Sequence, residues 1–467
     1  MLCAKSNRIR GLAVLAVFSA LFAFGGVDRA LAQEPPLTVP DSGAPGPAPE
    51  TAIPFNTWLL YPTLTLSSTY SDNYFLSPEA KISGPGFGVT PSLTAVWSDG
   101  IHTTTLFGNF QGIDYPTATE INTINGEATF TQKYAPLRDL NFTVLADYTH
   151  QTVANGLNNA IASPITSPGY TVLANGNTVL PNGTIVSPSG QIVGQQGSNP
   201  SVVNGLSVVN PFDRYTATAT VQKIFSDGIL TLGTSLSRQD YELQSSSSMD
   251  LTSTTFTEDA AFWLGPVFYA YSDGSFNMNA NTYPTPDSTA YRIIGGIGTR
   301  QFGLFRASAY FGYQGSQSSG FSPAGGDVYG GALTYYPTAD WTLSATYDKT
   351  INIASGTSSS TQALFLPGLT PVQIPTSSST DITTIAFRSN YTISPQWRAG
   401  AYLAYTQNLF IGSPFYENAW LADVNLAYDI WRNMTLTLDY QYSSIVSNEP
   451  LTSTNRYFIT ISALYKF

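Results

Sequence analysis

One cysteine and two histidines are all that 467 residues contain of the side chains most used for disulfides, metal ligation and nucleophilic catalysis. Cys3 precedes the apolar run Leu12 to Phe24, so it is not the lipidated cysteine that would follow such a run. A lone cysteine also builds no disulfide framework. His102 and His150 fall on different expected strands, at opposite ends, which leaves a His-based metal site without a pair of ligands. Asp147 is the one acid close to His150, and no phosphate-cradling P-loop appears. No catalytic residue, metal site or cofactor site is therefore expected. Charged residues make up 10 % of the chain, against about 25 % in ordinary globular domains. After Phe24 no stretch approaches twenty apolar residues, so no membrane-crossing helix is expected either.

The N-terminus carries an export pattern. Lys5, Arg8 and Arg10 precede the run Leu12 to Phe24, which is too short to span a bilayer as a helix. Ala30-Leu31-Ala32 then supplies a small-x-small cleavage site before Gln33. Residues 1–32 are expected to be a signal peptide. Their removal would take four basic residues and one acidic residue, leaving 15 against 29 and a net charge of −14. Such acidity argues against nucleic acid as a partner and tilts a pore weakly towards cations. Residues 33–56 hold seven prolines among Gly, Ser and Ala, the composition of a linker, either a plain spacer or a periplasmic tether.

What the chain has in abundance is aromatics, 13 % of it, with 28 Tyr and 26 Phe, set among Thr, Ser, Asn and Gly. The last thirteen residues show how they are used. Tyr457, Ile459, Ile461, Ala463, Tyr465 and Phe467 alternate with Arg456, Phe458, Thr460, Ser462, Leu464 and Lys466. Period-two alternation marks a β-strand with unlike environments on its two faces, and aromatics at both ends of the apolar face match membrane-interface girdles. A final strand ending in Phe467, with Tyr465 two residues earlier, resembles the assembly signal of bacterial outer-membrane β-barrels. That resemblance implies recognition of the C-terminal strand by the barrel-assembly machinery, contact with outer-membrane lipid and location in the cell outer membrane.

From residue 57 to 467 the chain reads as strands. Leu140 to Tyr148, Trp397 to Tyr405 and Met434 to Tyr442 repeat the alternation. Three tetrapeptides share an aromatic-Ser-Asp-Gly signature expected of tight turns: Trp97 to Gly100, Phe225 to Gly228 and Tyr271 to Gly274. The last of these divides expected strands 256–271 and 275–284. Short turns alternate with long polar connections, 153–212 being the longest. The expected architecture is an all-β transmembrane antiparallel up-and-down barrel of about eighteen strands, with sixteen as the alternative count. Strands 229–243 and 290–302 are the least regular, the first for drifting phase and the second for its glycines.

The phase also predicts a lumen. A lipid-facing Arg at mid-bilayer costs roughly 2–4 kcal/mol. Arg214, Arg292, Arg300, Arg306, Arg388, Arg398 and Arg456 are therefore expected to point inward, with Asp147, Asp348, Asp423 and Asp439. They either set up a transverse field across the pore or brace its wall. An eighteen-strand barrel is wide enough for an aqueous channel unless a loop fills it. Within 153–212, aliphatic triplets alternate with Asn-Gly and Pro-Ser-Gly turns, giving short hairpin strokes that fold into the pore or stand outside it. The first strand ends in Tyr70-Ser71-Asp72-Asn73-Tyr74-Phe75. This Tyr-x-Asp-Asn-x-Phe pattern after a Pro-rich linker resembles the putative β-barrel porin 2 group. That resemblance implies a porin-like barrel passing small hydrophilic solutes or, alternatively, a conduit or scaffold for exopolysaccharide export.

Overall fold

The computed structural model describes residues 52–74, 81–119, 122–154, 171–172, 178–179, 184–186, 192–195, 209–241, 250–281, 287–318, 323–353, 363–364, 372–373, 379–411, 414, 416–448 and 453–467. All lie in one compact unit, residues 42–467. The expected signal peptide and nearly all of the expected linker fall outside the described residues, as does most of 153–212.

Eighteen long strands close into a barrel. They are β1 (Trp58–Ser71), β2 (Gly84–Ser98), β3 (His102–Asp114), β4 (Thr123–Leu137), β5 (Leu140–Ala154) and β6 (Val209–Ile224). Next come β7 (Gly228–Tyr241), β8 (Leu251–Trp263), β9 (Phe268–Asn281), β10 (Ser288–Thr299), β11 (Phe305–Ser318) and β12 (Ala324–Thr338). The last six are β13 (Trp341–Ile353), β14 (Ser379–Ser394), β15 (Trp397–Phe410), β16 (Tyr416–Trp431), β17 (Met434–Ser447) and β18 (Thr454–Lys466). Each pairs antiparallel with its chain neighbours, and β18 returns to β1 through Thr63↔Lys466 to Ser71↔Phe458. Closure leaves no free sheet edge, the condition for a sheet to span lipid. One further strand, Ile53–Phe55, folds back on Trp58–Leu60 through Asn56 at φ 56°, so the end of the expected linker is structured.

Eight connections are short and lie at one rim; the others lie at the opposite rim with the long connections. The short turns are built locally. In the first, Asp99 Oδ1 accepts the N–H groups of His102 (2.6 Å) and Ile101 (2.9 Å) while Gly100 takes φ 91°. The His102 N–H first, then its ring and the Ile101 N–H, hold the Asp99 carboxyl down to about 2. The Phe225–Gly228 turn closes with Phe225 N–H on the Gly228 carbonyl at 2.7 Å.

The third expected turn is not a turn. Tyr271 to Gly274 runs inside β9, and the chain instead reverses over residues 264–267, where Gly265 takes φ 131° and Pro266 offers no N–H to a ladder. The Gly-Pro pair outcompetes the Asp-Gly pair, and Asp273 takes a ladder position opposite Ile294 and Asp259. The described pieces of 153–212 form a four-stranded antiparallel meander, 171–172, 178–179, 184–186 and 192–195, in keeping with short hairpin strokes.

Because every ladder pairs like faces, one parity fixes the whole wall. Leu66, Leu93, Leu106, Val144, Ile293, Leu403, Val424 and Ile461 are exposed on the outward face. Two aromatic girdles bracket them. At the short-turn rim lie His102 against Tyr134 (4.9 Å), Phe305 against Tyr335 (4.7 Å), Trp397 against Tyr428 (4.4 Å) and Tyr465 against Phe467 (4.8 Å). Towards the long-loop rim lie Tyr148 against Tyr215 (5.2 Å), Tyr291 against Tyr313 (6.1 Å) and Tyr405 against Trp420 (4.8 Å). Phe305 and Tyr313 share one strand, eight residues apart, which is about 27 Å along it at ~3.4 Å per residue. Tilted by roughly 40°, that spacing gives an apolar band on the order of 20–25 Å tall, the height an outer-membrane-type barrel requires. Outward charges gather at the rims in pairs: Lys223 with Asp139, Arg238 with Asp240 (2.9 Å) and Lys349 with Asp381 (2.9 Å). The exception is Glu258, midway along β8, which takes the outward face and accepts the Ser272 hydroxyl at 3.1 Å.

The glycines that make β10 irregular in sequence have a packing reason. Tyr271 and Tyr269 of β9 lie over Gly296 and Gly298, Tyr291 lies over Gly315, and Tyr310 lies over Gly330. A Cβ at Gly296 would enter the Tyr271 ring. Ring and glycine are complementary halves of one contact in this sector.

Candidate lumen and its charged belt

The inward face starts from the same parity. On β3–β7 it is largely hydroxyl and amide. Thr218 donates to Ser235 (3.1 Å), Thr216 to Ser237 (3.4 Å), and Asn141 to Gln222 (3.3 Å). Asp147 accepts the hydroxyls of Thr129 (2.9 Å) and Thr149 (3.0 Å) from its own wall. A hydroxyl on a strand reaches the next strand at the ladder spacing, so such a wall satisfies itself locally.

On β8–β17 the inward face carries ions. Arg292 reaches Asp273 across one ladder step (Nη1 to Oδ1, 3.5 Å) and stands over the Tyr310 ring at 5.6 Å. The Tyr310 hydroxyl donates to Asp348. Arg292, Asp273 and Asp348 are each less than a tenth exposed. Arg388 stands over Tyr402 at 5.2 Å, Tyr402 pairs across the ladder with Asp423, and Asn425, two residues along from Asp423, pairs with Asp439. Nearer the short-turn rim, Arg398 donates to Asp429 (3.0 Å) and Arg300 covers Trp263 at 4.4 Å. Arg306 faces inward opposite Thr334, and Arg214 faces inward opposite Thr149. Arg456 lies inward near the long-loop rim, 1 % exposed, with its guanidinium 4.5 Å from the Phe458 ring.

The eleven inward-expected residues thus occupy three levels of the wall. Arg300, Arg306 and Arg398 lie low, Arg214 and Arg456 high, and the others between. Asp259 and Asp273 belong to the middle level and were hidden by the false turn at 271–274. Their signal was present in the alternation Asp259, Ala261, Trp263 opposite Tyr269, Tyr271, Asp273, once the reversal is placed at Gly265-Pro266. At the middle level, four to eight residues above the short-turn ends of the strands, inward positions carry Asp147, Asp259, Asp273, Asp348, Asp423 and Asp439. Against these six stand Lys133, Arg292 and Arg388, a formal balance of −3. His102 and His150 lie on the outward face at opposite rims, bonded to Asp99 (3.1 Å) and Asp213 (3.0 Å).

No protein-family model matches the chain, and no curated protein matches it. Solved structures similar in fold include OccK10 (OpdN) of Pseudomonas aeruginosa, at 10 % identity and TM-score 0.42, covering 87 % of this chain and 99 % of that one. The FrpB iron transporter from Neisseria meningitidis has 8 % identity and TM-score 0.44, with 87 % and 81 % covered. The copper transporter OprC has 8 % identity and TM-score 0.46, with 89 % and 81 % covered. At these values the likeness carries no argument about what the chain does.

Proposed function

We propose that this chain is an outer-membrane channel through which small hydrophilic solutes pass, with a preference for cations. The observation that carries the reading is the pairing of opposite surfaces on one wall: an apolar band between two aromatic girdles outside, and an ion- and hydroxyl-lined face inside. A lipid-spanning barrel of this strand number has room for water along its axis. The middle level is the part of the lumen furthest from either mouth, where a −3 balance acts on a solute with least screening. The C-terminal strand, with Phe467 N–H on the Pro62 carbonyl (3.1 Å), is the element offered to the assembly machinery, as Tyr465 and Phe467 suggest. The inward aromatics Tyr269, Tyr271 and Tyr402 are almost fully buried within the wall.

Refolded protein in planar bilayers tests this. Steady ohmic steps are expected, with a reversal potential in a salt gradient displaced towards the cation Nernst value. Asp259→Asn with Asp439→Asn should move that potential towards zero. A reversal potential of anion sign would overturn the charge reading. Silence that ends only when residues 160–205 are deleted would replace the open channel by a plugged conduit.

A further inference from the structure

The described part of the Tyr70 to Phe75 motif, residues 70–74, lies at the seam where the barrel closes. The β1–β18 ladder holds nine residue pairs, against fourteen between β1 and β2. It stops at Ser71↔Phe458, yet β18 continues outward for four more residues, Thr454 to Tyr457, on which β1 has no main chain to offer. Side chains of the motif take over there. Asp72 Oδ1 accepts the Tyr457 N–H at 2.8 Å. Asn73 Nδ2 donates to the Asn455 carbonyl (3.2 Å) and to Thr454 Oγ1 (3.3 Å). Just past the described break, Lys81 Nζ donates to Asn455 Oδ1 at 2.6 Å.

The segment is held down as well as across. Ser71, Asn73 and Tyr74 are fully buried. The Tyr74 N–H bonds the Ile82 carbonyl (2.9 Å), its hydroxyl bonds the Gly84 carbonyl, and its ring meets Tyr115 edge-on at 4.9 Å. Burial pushes the Tyr74 phenol above its usual range and the Tyr115 phenol up to about 12, and the Tyr74 hydroxyl stays a donor. On the same stretch of β18 Arg456 is fully buried, with its guanidinium over the Phe458 ring.

We infer that Asp72, Asn73 and Tyr74 form a strap that locks the closing seam at its outer end, with Asp72 and Asn73 bonded across to β18 and Tyr74 anchoring the segment to Ile82 and Gly84. The strap supplies side-chain bonds to three of those four residues, Thr454, Asn455 and Tyr457, and it can engage only when β18 is already in register with β1. At the inner end, Ile53–Phe55 covers Trp58–Leu60, the part of β1 that lies beyond the end of β18. Both ends of the seam are thereby held by residues flanking β1, which makes strand β1 the keeper of closure.

The test compares Asp72→Ala/Asn73→Ala with Asn125→Ala, which removes a similar set of bonds to Gln111 and Thr152 on a wall away from the seam. The readout is the temperature at which the folded barrel loses its compact migration in detergent gels. The double variant should lose compactness on the order of 5–10 °C earlier, and Asn125→Ala should shift it less. A disulfide across the seam, Ser68→Cys with Ile461→Cys, should restore the double variant to the wild-type temperature. Asp72→Asn keeps an acceptor for the Tyr457 N–H and removes only the carboxylate charge. It should fall between, and with the seam disulfide it serves in place of the double variant if that fails to insert. An unshifted double variant, or a shift that the seam disulfide does not reverse, overturns the strap.

Discussion

Strands β5–β7 turn Thr143, Thr149, Thr216, Thr218, Thr220, Ser235 and Ser237 into the barrel, where β8–β17 turn in Asp259, Asp273, Arg292, Asp348, Arg388, Asp423 and Asp439. Both faces are polar, but they are satisfied differently. A hydroxyl finds its partner one strand away, and each bond contributes on the order of 0.5–1.5 kcal/mol, so the wall is a sum of independent pairs. An ion buried in the wall needs several neighbours at once. Arg292 draws Asp273 from β9, stands on Tyr310 from β11, and through that ring is coupled to Asp348 on β13. One wall is therefore local and additive, the other collective across five strands.

The largest effect should follow from cutting the collective wall at its centre. Arg292→Ala leaves Asp273 and Asp348 buried without the cation between them, and breaking a buried ion pair in this way costs about 3–5 kcal/mol. Urea unfolding of the detergent-refolded barrel measures it. Arg292→Met with Asp273→Leu should recover part of the loss, because Asp273 no longer stands uncompensated while Asp348 still does. Failure of the double variant to recover would show that the guanidinium serves something other than these carboxylates.

The packing of the same sector should give the next largest effect. At Gly296 an added methyl enters the Tyr271 ring, and overpacking of this kind costs roughly 1–3 kcal/mol. Gly296→Ala should be destabilising by that amount in the same urea measurement, and Tyr271→Ser in the same chain should relieve only the ring's share, since the added methyl also meets the Ala309 carbonyl at 2.5 Å. If Gly296→Ala is neutral, ring and glycine are neighbours rather than complementary halves of one contact.

Legibility from sequence divides along the same line. The closed antiparallel barrel of eighteen strands, the inward parity of Arg388, Asp423 and Asp439, and the turns at Asp99-Gly100 and Asp227-Gly228 follow from period two and local turn chemistry. The collective sector did not read cleanly. Glycines in β10 looked like weak strand because the tyrosines that justify them lie on other strands. Tyr271 to Gly274 looked like a turn because Asp-Gly permits one, while Gly265-Pro266 a few residues earlier compels one. A turn placed at 271–274 takes Asp273 out of the ladder and hides its pairing with Asp259. The seam strap was visible only as a motif, since Asp72 and Tyr457 lie 385 residues apart in sequence.

The smallest expected effect comes from the hydroxyl wall, and it is the sharpest check on the comparison. Thr218→Val keeps the β-branched shape and removes the one hydroxyl that donates to Ser235 at 3.1 Å. Ser235 faces the lumen and regains a partner from water, so the change should cost less than about 1 kcal/mol in urea unfolding. It should also leave the reversal potential in a salt gradient where it was, because no charge is altered. Thr216→Val, which cuts the neighbouring bond to Ser237, should add to it without coupling, since the two pairs share no partner. A cost for Thr218→Val comparable to that of Arg292→Ala, or strong coupling between the two threonines, would mean that the hydroxyl wall is also a network, and the distinction between the two sides of the barrel would fall.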